Sequence, residues 1–173
     1  MPTQAGLTHA VEFTCMKVSE HIVGNTEIDE LTAFVTDVLK QTPALDGSME
    51  SIDETIHEWQ ASGKLPNAGI LDKDELIALY GYLWGNEIVR LHGWHWADLI
   101  FHEFDDWVGR AVVSPDASLF ILPFAHIHEC LQGDDEVKIT ALLSAIGSDI
   151  VPSLEPCSYT NMAHNIQRIV PRP

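Results

Sequence analysis

Histidine is the side-chain class best placed to do chemistry in this 173-residue sequence. Nine are present, and His92, His95, His102, His126 and His128 crowd the central region. The run His126-Ile127-His128-Glu129 has the residue types of a metal site. On a strand, two histidines spaced i, i+2 would share a face and could grip one ion. Here the run reads as the start of a helix, where residues two apart diverge by about 200°. That geometry is poor for joint ligation, and neither HExxH nor a second spaced Cys or His pair completes a ligand set. His126, His128 and His102 are the metal candidates, weighed against the plainer role of core and surface histidines.

A second cluster joins His102, Glu103, Asp105 and Asp106, immediately before Trp107. Crowded carboxylates can bind a hard cation or raise one another's pKa. The plainer reading is a solvated hairpin turn. Glu87 falls on an otherwise apolar helix with Arg90 three positions on, which favours a local i, i+3 ion pair over a buried catalytic acid. No GxSxG and no phosphate-binding glycine loop is present. Ser114 sits in a Ser-Pro-Asp turn. Cys130 has no activating histidine following it, and its neighbour Glu129 would raise a thiol pKa, so it reads as packing. No catalytic residue and no cofactor site is assigned.

Composition bounds the partners. Asp and Glu number 26 against 9 Lys and Arg, a net charge of -17 and a pI near 4.6. Nucleic acids and anionic membranes are bound through basic residues, so both are excluded as expected partners. An acidic surface attracts basic proteins. Cys15, Cys130 and Cys157 are odd in number and widely spaced, with no CxxC, which points to a reducing, cytoplasmic location. The N-terminal residues lack the basic start and apolar core of a signal peptide. No apolar run reaches the roughly 18 residues of a membrane span.

The elements that must position these groups follow from periodicity and punctuation. With 46% hydrophobic residues, residues 1–150 can bury the core of a single α+β domain. Residues 151–173 carry four prolines and read as an extended surface tail. Leu7, Val11, Cys15, Val18 and Ile22 predict a first helix. Gly24-Asn25 stops it, and Thr26 with Asp29 can cap a second helix bearing Ile28, Leu31, Phe34, Val35, Val38 and Leu39. A third helix starts near Ser48 and stops at Gly63, a loop spans Lys64 to Ile70, and Asp72 with Glu75 caps a fourth that reaches about Leu91. Gly81 and Gly85 share a face of that helix and predict close approach of another element. Trp94–Phe104, Trp107–Val113 and Leu119–Leu122 predict a three-stranded antiparallel meander. Pro123 ends it, and helices follow at Phe124–Leu131 and Asp135–Ile146, the latter capped by Asp134 or Asp135.

Leu83-Trp84-Gly85 with Glu87-Ile88, then Gly93-Trp94-His95-Trp96, Val112-Val113-Ser114-Pro115-Asp116 and Leu122-Pro123-Phe124, form a pattern spread over about a third of the chain. The pattern resembles small bacterial proteins of uncharacterised domain families, some of them immunity proteins found beside polymorphic toxins. The resemblance implies the α+β order of elements, but no agreed activity and no functional residues. The expectation is a non-enzymatic, acidic protein-interaction module, an immunity or inhibitor protein that binds a basic partner through Asp105, Asp106 and Trp107. The alternatives are a metal-binding protein or hydrolase using the central His/Asp/Glu group, and a homodimer whose tail exchanges between subunits.

Overall fold

The Val-rich segment Trp107–Val113 is the strand around which the sheet is built, because its side chains are apolar on both faces over the second half of its length. In the computed structural model, which describes residues 18–43, 45–64, 71–132, 139–151 and 153–163, the elements are β1 (Val18–Ile22), α1 (Asn25–Gln41), α2 (Met49–Ser62), α3 (Lys73–His92), β2 (His95–Phe101), β3 (Trp107–Val113), β4 (Leu119–Ile121), α4 (Pro123–Cys130), α5 (Ile139–Ala145) and β5 (Thr160–Asn161). A short 3-10 turn, His102–Phe104, follows β2. The sheet has the order β1-β2-β3-β4-β5. The first three pairings are antiparallel and β4 with β5 is parallel. The chain is therefore α+β.

The expected meander exists as β2-β3-β4, but it lies inside a five-stranded sheet. The two added strands come from segments read otherwise. Val18 and Ile22, expected on a helix face, belong to β1, with Val18 opposite Phe101 and Ile22 opposite Ala97. A separation of four residues keeps two side chains on one side of either a helix or a strand, so the apolar spacing alone cannot separate the two. The ladder to β2 does. Leu7, Val11 and Cys15 lie outside the described residues. β5 comes from the segment read as a surface tail. There Tyr159 and Met162 are buried, and the chain is held by Cys157 N–H to Asp116 O, Tyr159 N–H to Ala117 O and Thr160 N–H to Ser118 O.

One sheet face is covered by helices, and Trp96, Val112 and Ile121 join α1–α5 in the main core. The other face carries a smaller core of Val18, Ala97, Leu99, Ala111, Val113 and Phe120, with Ala117 and Tyr159. Local signals set most helix ends. Ser48 Oγ accepts from Ser51 N–H, Asp72 and Glu75 form a reciprocal capping box, and Gly63 and Gly93 close their helices at φ 65° and 67°. One cap differs from expectation. α1 starts at Asn25 with Gly24 at the cap position, and no side chain caps it. Asp134 and Asp135 lie outside the described residues, as do residues 65–70 of the expected loop. The first described N–H groups of α5 are met from α2: Asp53 accepts from Ile139 N–H at 2.7 Å and from Thr140 N–H at 3.2 Å.

Gly81 and Gly85 are where α3 meets its neighbours. A Cβ on Gly81 would lie 3.0 Å from the Phe124 Cα of α4. A Cβ on Gly85 would penetrate the Trp96 ring and come within 3.0 Å of Pro123. Gly85→Leu is expected to lower stability by about 1–3 kcal/mol through overpacking, despite the better helix propensity of leucine. Chemical denaturation read by tryptophan fluorescence measures this, and a midpoint at or above wild type would mean that the rings move aside.

Candidate functional site

The end of the β2–β3 hairpin gathers exposed acidic, aromatic and histidine side chains. The loop between the strands runs His102 to Asp106, and residues 102–108 are all exposed. Asp105 and Asp106 both adopt left-handed backbone, φ 53° and 55°, a conformation aspartate tolerates better than most side chains. Phe104 is 70% exposed, Val108 54% and Trp107 49%. Trp107 and Val108 are neighbours on a strand, so they project from opposite faces and the apolar surface wraps around the hairpin end. Trp107 is braced on its inner side: its ring lies 5.4 Å from that of Phe101 and over Gly109, where any Cβ would come within 2.7 Å of it. Sequence order thus places Asp105, Asp106 and Trp107 together, and the fold adds Phe104 and Val108, whose exposure no spacing rule signals.

The same hairpin is tied to β1. Ser19 Oγ lies 2.7 Å from His102 Nε2, and His102 Nδ1 lies 2.6 Å from Asp106 Oδ1. Asp106 as a carboxylate can only accept, so Nδ1 carries a proton. In the neutral ring Nε2 is then the acceptor and the Ser19 hydroxyl donates to it. Ser19 is 83 residues from His102, and no local pattern pairs them.

A second polar tie lies on the opposite face of the sheet. Glu20, the next residue of β1, lies 2.5 Å from His95 Nε2 and accepts from Tyr159 OH at 2.6 Å. Its side chain is almost buried. Burial, the largest single influence, pushes the Glu20 carboxyl up, but hydrogen bonds from His95 and Tyr159 and the charge of His95 together outweigh it and hold the pKa below its ordinary 4.5. This tie joins β1, β2 and the segment leading to β5. On the helical face Arg110 makes two bonds to Asp98, 2.9 and 3.0 Å, and one to Glu27 of α1 at 3.2 Å.

The metal candidates are dispersed. His126 is buried, its ring 5.1 Å from that of Trp84 and its Nε2 3.6 Å from Cys130 Sγ. His128 is exposed, 2.5 Å from Gln132 Nε2. Both sit on α4, where positions two apart point in different directions, and His102 lies at the hairpin end. Among the described residues, no group of three or more His, Cys, Asp or Glu side chains is placed to hold a metal ion. Glu87 pairs with Arg90 at 2.5 and 2.8 Å; the hydrogen bond from Arg90 lowers its pKa. Among the described residues no helix is long and apolar enough to cross a membrane. No protein-family model, curated protein or solved structure matches the chain.

Two outcomes are expected. A carboxyl whose folded pKa is lowered stabilises the fold above its unfolded pKa, and that contribution is lost as pH falls through the folded value. Glu20→Gln should therefore reduce stability at neutral pH and flatten the loss of stability below about pH 4.5, read as melting temperature against pH. A parallel pair of acid curves would assign the tie no energetic role. Elemental analysis of the purified protein should find no stoichiometric transition metal; one zinc or iron per chain, lost on His126→Ala or His128→Ala, would reverse this.

Proposed function

We propose that this chain is an acidic protein-interaction module, of the immunity or inhibitor kind, that docks a basic protein partner on the end of the β2–β3 hairpin. The observation that carries the reading is the company kept there: Phe104, Trp107 and Val108 exposed beside Glu103, Asp105 and Asp106. Large exposed apolar side chains rimmed by charge are a common composition of protein-binding surfaces. Tryptophan is a frequent energetic anchor in them. A net charge of -17 supplies a long-range field that speeds encounter with a cationic surface. The hairpin is a suitable platform because paired strands and the His102–Asp106 and Phe101–Trp107 contacts hold it, so little order remains to be imposed on binding.

The test is capture of a basic partner from the source cell, followed by kinetics at two salt concentrations. Association should slow as salt rises, since exposed charges are screened beyond about 8 Å at physiological ionic strength. Glu103→Gln with Asp105→Asn should lower the on-rate further, whereas Trp107→Ala should act mainly on the off-rate. A partner whose on-rate ignores both salt and these substitutions, or whose off-rate ignores Trp107→Ala, binds elsewhere.

A further inference from the structure

We infer that Ser19, His102 and Asp106 form an acyl-transfer centre, with Ser19 as nucleophile, for neutral or cationic esters carrying a small apolar acyl group. The inference does not depend on the partner reading, although Asp106 and Val108 belong to both surfaces. Its basis is the chain of contacts Ser19 Oγ to His102 Nε2 at 2.7 Å and His102 Nδ1 to Asp106 Oδ1 at 2.6 Å. A serine becomes a nucleophile when a base accepts its proton and a third group orients that base. Here the carboxylate fixes the proton on Nδ1 and leaves Nε2 facing the hydroxyl, which is the tautomer that the reaction needs.

The surroundings select the substrate class. Ser19 is opposite Ile100, and Ile100 is opposite Val108, so the three lie in one row on one face of the sheet. Ile100 is only partly buried and Val108 is exposed, which leaves an apolar strip beside the hydroxyl. Among the described residues no strand pairs with the outer edge of β1. The negative field of the chain disfavours anionic substrates.

The step balances within these residues and water. Ser19 Oγ bonds to the ester carbonyl carbon while its proton passes to His102 Nε2. The C–O bond to the leaving alcohol then breaks, and the alcohol takes that proton. Water repeats the sequence on the acyl-serine and releases the carboxylic acid. Asp106 is 73% exposed at its side chain, so solvent screens its support of the imidazolium. The centre is therefore expected to be slow, and visible first with activated reagents.

A fluorophosphonate probe tests this without a partner. Ser19 Oγ would bond to phosphorus, fluoride would leave and His102 would take the proton. Intact-mass and peptide analysis should find one adduct per chain, at Ser19, absent in Ser19→Ala. His102→Gln should slow labelling at least about 100-fold, the usual contribution of a positioned base, with unchanged circular dichroism. Should that variant unfold, Asp106→Asn serves, because an amide can favour the wrong tautomer; labelling should again slow. No adduct at Ser19 in folded wild-type protein, or an equal labelling rate without the histidine or with Asp106→Asn, overturns the inference. Neither result alters the expected salt dependence of partner binding.

Discussion

The close approach of α3 to β2 and α4 is the contact on which the remaining architecture rests. A helix normally keeps its neighbours about 8–10 Å from its axis because side chains intervene. At Gly81 and Gly85 none intervenes, and Phe124 and Trp96 occupy the space that a Cβ would take. Trp96 is thereby held between helix and sheet, parallel to Tyr82 at 6.2 Å and tilted against Phe124 at 5.7 Å. Its backbone O also accepts from Val23 N–H at 3.1 Å, just after β1. One approach distance thus sets the seat of β2, the start of α4 and the end of β1.

The hairpin gains its character by extending beyond this packing. Near α3 the strands are apolar on both faces and fully buried, as at Ala111, Val112 and Val113. Toward Trp107 the helical cover ends, and the same strands carry exposed aromatic and acidic side chains. The strand ladder keeps that end ordered without burying it. β1 contributes to both sides: its alternating geometry sends Glu20 to the smaller core and Ser19 to the helical face, so consecutive residues make unrelated contacts, with His95 and Tyr159 on one side and His102 on the other.

Polar groups tie the elements together where the apolar core does not. Asp53 of α2 meets the first described N–H groups of α5, and the Trp59 and Gln60 side chains of α2 donate to the Leu131 and Cys130 carbonyls at the end of α4. Helix ends carry unsatisfied backbone groups. Here neighbouring helices satisfy some of them, so the caps double as tertiary contacts. The Ser114–Ser118 turn works similarly. Asp116 accepts from the hydroxyls of Ser114 and Ser118 and from Ser118 N–H, while its carbonyl receives the segment leading to β5.

The sequence by itself determined the features whose causes lie within a few residues. These are the α2 and α3 caps at Ser48 and Asp72, the stops at Gly63 and Gly93, the β2-β3-β4 order, the Glu87–Arg90 pair and the glycine face of α3. It also placed Asp105, Asp106 and Trp107 together, because they are consecutive. Only the tertiary structure decided the rest. Val18 to Ile22 fits either period, and pairing with β2 made it a strand. Residues 160–161 have no strand pattern of their own and are extended because the Asp116 turn and β4 offer free backbone groups. The Asp53 bonds to Ile139 and Thr140, and Ser19 beside His102, join residues more than eighty positions apart. Side-chain type and local spacing carry no record of such distant pairings, because the free energy that forms them comes from burying the sheet and helices against one another.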